Sequence, residues 1–418
     1  MPETIKVLVL GLLGAAGCVG AAGAAGFGRA DADTDILYEQ SSFDLRAGAT
    51  LVMPRRGYET INGAPATDPD FTRDHVIPSI AANVVLHDKA RCAGTFVEVY
   101  GADVVYGPQK IMSDQRFVDL DGPGGLDPIP TANATESVEL TSNEYGLTCA
   151  FGFQAGPGTA WIIGGGFLEN FQYTEDTVFG TLDFDGGYEP GFRVGAAFSI
   201  EEIALRAQLL YRSSVSHSPG GTFSGYIPNP GFDPLTPPSP TNPQFALPSG
   251  LYDTSGVGTT PQSVELSVQS GVAPGTLVFG SVKWTDWSVV DTLDYTIDPS
   301  GAALPSRNEY FWKDGWTVTA GVGRQITEMV AASASLTWDQ GVSTTEDVLT
   351  DTWTLGGGVA VSGERASLQI GGAINYLTAG SVAMDPDLTD ADPAGANSAA
   401  TVGADWAFAL GGSLTITW

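Results

Sequence analysis

Asp405-Trp406-Ala407-Phe408-Ala409-Leu410-Gly411-Gly412-Ser413-Leu414-Thr415-Ile416-Thr417-Trp418 closes the chain and alternates in polarity almost residue by residue. Trp406, Phe408, Leu410, Leu414, Ile416 and Trp418 share one face, and Asp405, Ala407, Ser413, Thr415 and Thr417 share the other. A period of two is the mark of a strand, because successive side chains point to opposite sides of a sheet. The pattern returns at Ile203 to Arg212, with Ile203, Leu205, Leu209 and Tyr211 against Arg206, Gln208 and Arg212, and again from Trp316 to Val322 against Thr317, Thr319 and Gly321. One face is apolar throughout, while the other is polar or small.

Working back from the C-terminus, fourteen such stretches are found at about 43–53, 77–87, 91–101, 137–154, 159–174, 187–199, 203–216, 262–271, 276–295, 309–325, 330–340, 351–362, 366–378 and 402–418. Short connections such as His87-Asp88-Lys89-Ala90 and Ala155-Gly156-Pro157-Gly158 alternate with long ones at about 54–76, 102–136, 175–186, 217–261, 296–308, 341–350 and 379–401. An even strand count with both termini on the short-turn side predicts an all-β fold, a 14-stranded antiparallel transmembrane barrel of the bacterial outer-membrane type. Closing the sheet removes edges that lipid cannot satisfy. Aromatic residues towards strand ends, at Trp284, Trp287, Trp312, Trp316, Trp338, Trp353 and Trp418, suit the girdles of such a barrel. A large soluble β-sandwich or β-helix is the competing reading of the same alternation.

Composition fits the barrel. Of 418 residues only 16% are charged, against about 25% in a globular chain. The 43% that are hydrophobic and the 54 glycines suit a wall that needs an apolar residue only at every second position. Acidic residues outnumber basic ones 48 to 18, and a net charge of −30 excludes nucleic acid as a partner. The excess gathers in expected loops, at Asp68, Asp70, Asp119, Asp121, Glu175, Asp176, Asp385, Asp387, Asp390 and Asp392. It predicts a solvated outer rim, or carboxylates that meet lipopolysaccharide phosphates through bridging divalent cations. No ligand-spaced metal cluster is present in the sequence, and no cofactor is implied.

A single apolar run, Ile5 to Phe27, is long enough for a helical span. Lys6, the apolar core Val7 to Leu13 and the small-residue tract ending Ala22-Gly23-Ala24 read as a signal peptide of residues 1–24 with the mature start near Ala25. Ala15-Ala16-Gly17-Cys18 is an alternative lipobox that would lipidate Cys18. Cleavage after Ala24 leaves Cys92 and Cys149, an even pair in an oxidising compartment and hence a possible disulfide. Parity opposes it. Cys149 shares a face with Leu147, Phe151 and Phe153, outward, and Cys92 shares one with Glu98, inward. A bulge in the third strand reconciles the two; without it the bond is geometrically disfavoured.

Residues Ala25-Gly26-Phe27 and Arg29-Ala30-Asp31-Ala32-Asp33-Thr34-Asp35-Ile36-Leu37-Tyr38-Glu39 resemble the N-terminal plug of the long-chain fatty acid transporter (FadL/TodX) family in its alphaproteobacterial form. Arg91-Cys92-Ala93-Gly94-Thr95, Tyr145-Gly146-Leu147-Thr148-Cys149, Pro261-Gln262-Ser263-Val264-Glu265, Lys283-Trp284-Thr285-Asp286-Trp287-Ser288 and Trp312-Lys313-Asp314-Gly315-Trp316 extend the resemblance along the mature chain. It implies a monomeric barrel, residues 43–418, closed by a hatch, residues 25–42, in which Phe27, Leu37, Tyr38 and Glu39 are the contact residues. It further implies passive passage of hydrophobic compounds, typically long-chain fatty acids, with lateral exit through a gap made by a kinked strand. The chain departs from better-known members by carrying Tyr38-Glu39-Gln40-Ser41 where they have Asn-Pro-Ala after the Tyr, so hatch contacts built on that motif are not carried over. Terminal Trp418 is expected to address the barrel-assembly machinery.

A fatty acid joins one carboxylate to a long alkyl tail, so its site calls for an apolar slot ending in one or two cations. Parity turns Arg193, Glu189, Arg206, Arg212 and Lys283 towards the lumen, which makes Arg206, Arg212, Lys283 and Arg193 the ligand-binding candidates. Buried cations need partners, so each is equally a candidate for a structural pair, Arg193 with Glu189 for example. The segment 217–261 carries ten prolines interleaved with Phe223, Tyr226, Phe232 and Phe245 and reads as a long outer loop, either a capture surface or a packed lid. Catalysis is not expected: of His75, His87 and His217 only the last lies beside serines, Ser216 and Ser218, and it has no third partner. A general diffusion porin and an adhesin or receptor barrel are the rival functions.

Overall fold

The alternation that marks the last strand also sets its two sides. In the computed structural model, which describes residues 26–114, 117–118, 129–130, 134–229, 238–241, 243–299, 303–344, 348–384 and 398–418, the segment Asp405–Thr417 exposes Trp406, Phe408, Leu410 and Leu414 and buries Ala407, Ala409, Ser413 and Thr415. Apolar side chains face out and small or polar ones face in, the reverse of a soluble sheet. An exposed apolar belt of this kind is stable only against lipid. Among the described residues no helix is long and apolar enough to cross a membrane. The expected signal peptide, Ala25, Cys18 and the acidic residues Asp119, Asp121, Asp385, Asp387, Asp390 and Asp392 lie outside the described residues.

Fourteen strands form the wall: β1 (Phe43–Arg55), β2 (His75–His87), β3 (Ala90–Val105), β4 (Thr135–Ala155), β5 (Gly158–Thr177), β6 (Gly180–Ile200), β7 (Leu205–Arg212), β8 (Ser263–Ala273), β9 (Thr276–Thr285), β10 (Gly315–Gln325), β11 (Val330–Asp339), β12 (Thr352–Ser362), β13 (Ala366–Leu377) and β14 (Asp405–Thr417). Each pairs antiparallel with its sequence neighbours, and β14 returns to pair with β1 from Asp44↔Thr417 to Arg55↔Trp406, so the sheet is closed. Across β9 to β14 the outward aromatics form one cross-strand row, with Trp284 opposite Trp316, Trp338 opposite Trp353, Trp353 opposite Tyr376 and Tyr376 opposite Trp406. The Trp284 indole N–H donates to Asp314 at 3.0 Å and that of Trp338 to Asp351 at 3.1 Å, as expected where an aromatic ring spans the boundary between lipid and water. At the other end of the wall, Trp418 packs 5.1 Å from Phe43.

The outer side is more ordered than the sequence suggests. The expected loop at 175–186 is absent: β5 runs to Thr177 and β6 starts at Gly180, joined through Val178 and Phe179, so Glu175 and Asp176 are strand residues. Thr135 donates to Glu175 at 2.8 Å, and Ser137 to Asp176 at 2.9 Å. The described part of 217–261 is likewise no simple loop. Gly220–Pro228 pairs with both β6 and Phe245–Thr260, and Phe245–Thr260 pairs with Thr292–Asp298. These pieces bury Leu182, Phe184, Phe223, Leu247, Leu293 and Ile297 in a common apolar core. The expected strand at 276–295 breaks at a 3₁₀ turn, Trp287–Val289, which turns Trp287 inward.

Candidate functional site

Residues 26–42 lie inside the barrel. The 3₁₀ turn Asp35–Tyr38 buries Ile36, Leu37 and Tyr38 among Ala81, Ala93, Ala150, Trp161, Ile163 and Ala197, which are the small and apolar inward positions of β2 to β6. Tyr38 donates to Gln208 at 2.7 Å and sits edge-on to Trp161. At the other end of the segment, the Phe27 ring packs at a tilt 4.5 Å from Trp312 and edge-on 5.7 Å from Tyr310.

Between these apolar anchors the acidic residues Asp31, Asp33 and Asp35 recur at every second position, the last of them opening the 3₁₀ turn. Each meets a cation of the wall. Lys283 donates to Asp31 at 2.6 and 2.7 Å, Arg46 to Asp33 at 2.7 Å, and Arg206 to Asp35 at 2.7 Å. Arg46 also reaches Glu39 at 2.7 Å, and Arg206 lies 4.3 Å from the centre of the Tyr38 ring. Arg91 donates to the carbonyls of Leu37 and Glu39 at 3.0 and 3.3 Å while stacking on Trp161. Enclosure within the lumen acts to raise the Asp31 carboxyl, although its side chain stays open to the cavity, and the Lys283 ammonium holds it below the usual carboxylate range. Burial pushes Glu39 up to about 7 against the pull of Arg46.

The other two sequence candidates form a separate, fully buried knot. Arg193 and Arg212 stand directly opposite each other on β6 and β7, and Glu144 and Glu169 directly opposite on β4 and β5. Glu144 accepts from Arg193 and, at 3.1 Å, from Arg212; Glu169 accepts from Arg212, from Thr260 at 2.7 Å, and lies 3.1 Å from His217 Nε2. The partner of Arg193 is therefore Glu144, not Glu189 as parity suggested. A Cβ at position 146 would lie 2.7 Å from the Arg193 guanidinium, so Gly146 makes room for it. His217 belongs to this knot and pairs with a carboxylate.

The third strand decides the shape of the site. The ladder between β2 and β3 runs from His87↔Ala90 to Ser79↔Val97 and stops; the chain segments meet again only at Thr72↔Val104. Between these points β2 pairs through Pro78↔Ala49 to His75↔Val52 with β1 alone. On β3 a bulge between Glu98 and Tyr100 leaves Val99 without an opposite number on β4, so both Val99 and Tyr100 turn inward. The freed edge of β3 bonds to the hatch, with Arg29 N–H donating to the Val99 carbonyl at 2.9 Å and Gly101 N–H to the Phe27 carbonyl at 2.8 Å. A Cβ at position 101 would lie 2.5 Å from Arg29 Nε and 2.9 Å from a Glu98 carboxylate oxygen, so Gly101 leaves room for those two side chains. The result is an interruption of the wall, and Glu98 pairs there with Arg29 at 3.7 Å.

The same strand settles the facing of the cysteines. From Arg91 to Val97 the alternation is unbroken and Arg91, Ala93, Thr95 and Val97 are the buried set, so Cys92 is on the outer face and not the lumen face; it keeps its parity with Glu98, whose charge is met by Arg29 at the interruption and does not mark the lumen side. Cys92 and Cys149 stand directly opposite, joined as a disulfide with Cα atoms 4.0 Å apart.

Beside the hatch, a cavity of about 440 Å³ is bounded by residues 28–35 on one side and by the inner faces of β8 to β11 on another, and it reaches Ile77, Val99 and Tyr100 at the interruption. Strand parity pointed to Arg193, Arg206, Arg212 and Lys283, and the family resemblance to Phe27, Leu37, Tyr38 and Glu39. Both missed Arg46, Arg91, Glu144, Glu169 and the roles of Asp31, Asp33 and Asp35; the strict alternation of those three aspartates was the available signal.

No protein-family model and no curated protein sequence matches the chain. Solved structures do. A FadL homologue of Pseudomonas aeruginosa aligns over 96% of this chain and 97% of its own, with TM-score 0.65 at 11% identity. The toluene transporter TodX of Pseudomonas putida aligns over 94% and 95%, TM-score 0.60 at 10% identity, and the toluene transporter TbuX of Ralstonia pickettii over 91% and 90%, TM-score 0.56 at 12% identity. The chain has the FadL fold. At these identities the FadL likeness lies in the backbone path, so the charge pairs above are properties of this sequence.

Proposed function

We propose that this protein carries hydrophobic compounds passively across the outer membrane, releasing them sideways into lipid between β2 and β3. The observation that carries the reading is the interrupted β2–β3 ladder beside a cavity in an otherwise closed and plugged barrel. A cargo in that cavity lies next to Ile77 and Val99 at an opening in an apolar wall, so it can leave without crossing the polar residues below. The apolar clusters above the hatch, around Phe223 and Leu247 and around Trp287 and Trp312, offer greasy surface on the way in. Long-chain fatty acids are the cargo that the sequence resemblance suggests; the toluene transporters of the same fold widen the class to small hydrocarbons.

Deleting Val99 tests the reading. Without the extra residue β3 regains continuous pairing, the ladder to β2 can extend past Ser79, and the opening closes. Cells that depend on the barrel for uptake of a labelled long-chain alcohol or alkylbenzene should lose that uptake while the protein still assembles and migrates heat-modifiably on gels. Unchanged uptake with an assembled barrel would refute lateral release.

A further inference from the structure

The cavity beside the hatch has an unusual charge balance. Every cation on its lining is already matched: Arg29 by Glu98, Arg46 by Asp33 and Glu39, Arg206 by Asp35, Arg212 by Glu144 and Glu169, and Lys283 by Asp31. Among the described residues no lining cation lacks a carboxylate partner, and Glu265, directly opposite Lys283 on the neighbouring strand, adds a further acid to the same wall. The partners are not ornamental surface pairs. The Arg206 side chain is 8% exposed and that of Lys283 19%, whereas Asp35 and Asp31 are 46% and 59% exposed, so the carboxylates are what the cavity presents and the cations lie beneath them.

An ionised carboxylate entering this space would meet carboxylates first. It would be desolvated without a counter-ion, which strongly disfavours the charged form. The rest of the polar lining is mostly neutral, with hydroxyls such as Ser281, Thr319 and Thr337 on β9 to β11 and the amides of Gln208 and Gln269, and it adds one further carboxylate, the buried Asp339. The opposite side sets the apolar Ile77 and Val99 beside the hydroxyls of Thr50 and Ser79. A volume of about 440 Å³ falls within the range of roughly 300–1,000 Å³ usual for small-molecule sites.

We propose that the cargo is accepted only in uncharged form, as an apolar body bearing at most a neutral hydroxyl or carbonyl head, with the body towards Ile77 and Val99 and the head against the hydroxyls of β8 to β11. This rests on the transport reading above and narrows its substrate class: a fatty acid is carried as the protonated acid, and alcohols, esters and hydrocarbons are carried as they are. The hatch aspartates act as a charge filter.

Bromine-bearing probes of equal length test it, because bromine quenches a nearby indole and Trp287 lines the cavity. Purified full-length barrel in nanodiscs is titrated at pH 8 with 11-bromoundecanol, methyl 11-bromoundecanoate and 11-bromoundecanoate, and the Trp287 signal is taken as the difference from the Trp287→Phe variant. The alcohol and the ester should bind, and the carboxylate should bind roughly tenfold or more weakly, since burial without a partner disfavours the anion. Two variants should admit the anion: Asp31→Asn with Glu265→Gln, which frees Lys283, and Ser281→Lys, which adds a cation without touching the hatch. Either should raise carboxylate affinity by roughly tenfold. Equal binding of carboxylate and alcohol by the unaltered protein would overturn the charge filter and leave lateral transport standing. Failure of all three probes to reach Trp287 would overturn both.

Discussion

Glu144 is the point at which the buried knot is most sensitive. Changing Glu144→Gln keeps the shape of the side chain and removes the charge that lies between Arg193 and Arg212. Those arginines are directly opposed on adjacent strands, and only Glu169 would remain to face them. All four side chains are nearly or wholly inaccessible, with Glu144 and Glu169 at 0%. Removing one partner of a buried pair costs about 3–5 kcal/mol, chiefly because the other charge is left uncompensated. Arg193→Gln should carry a similar cost for the converse reason. The double variant Glu144→Gln/Arg193→Gln leaves Arg212 paired with Glu169 and restores neutrality, so it should be less destabilised than the sum of the singles by about 1–3 kcal/mol. Urea unfolding of the purified barrel in lipid vesicles, followed by tryptophan emission and by gel migration, reads this as shifts of midpoint at constant slope. If the two single effects add, Glu144 and Arg193 do not act as a pair and the account of the knot is wrong.

Three further outcomes are expected. Phe27→Ala should loosen the outer end of the hatch by about 2 kcal/mol through loss of its contacts with Trp312 and Tyr310, so that trypsin cleaves after Arg29 roughly 30-fold faster. Glu39 titrates at about 7 in place and at an ordinary 4.5 once released, so the folded site holds its proton the more tightly. Its contribution to docking is complete below about pH 4.5 and fades as the pH rises through about 7; Glu39→Gln should flatten the hydrogen-exchange difference across that window. Denatured, unreduced protein should show no free thiol from Cys92 or Cys149, and replacing both by Ala should cost about 2–4 kcal/mol in the same unfolding assay.

Much of the architecture can be read from side-chain period alone, because a lipid-facing wall shows its alternation without interruption. Trp406 to Trp418 sets one strand, and thirteen comparable segments share its pattern. Parity likewise turned Arg193, Arg206, Arg212 and Lys283 inward correctly. It fails where a charged residue sits at the interruption of the wall: Glu98 meets Arg29 there, so its charge is no mark of the lumen face for Cys92, which shares its parity with no bulge between them. Partners were not legible either. Lys283 lies 252 positions from Asp31, and a chain with many acids offers each cation many equivalent choices that only the threading of the hatch decides. The outer hairpins escaped notice because proline masks strand character in 217–261, where pairing with β6 and the shared apolar core override local preference.

The alternating aspartates of the hatch bear on how such barrels can be recombined. A plug held mainly by apolar packing would be an interchangeable part, since one greasy surface substitutes for another. Here the plug and the wall form a matched code: Asp31, Asp33 and Asp35 read Lys283, Arg46 and Arg206, which lie on three separate strands, β9, β1 and β7. Transplanting this N-terminus into another barrel of the same shape would bring acids to positions with no answering cation, and a foreign plug placed here would leave three lumen cations unmatched. Successful chimaeras therefore have to exchange the segment together with those wall positions, and the two are expected to vary in concert over evolutionary time.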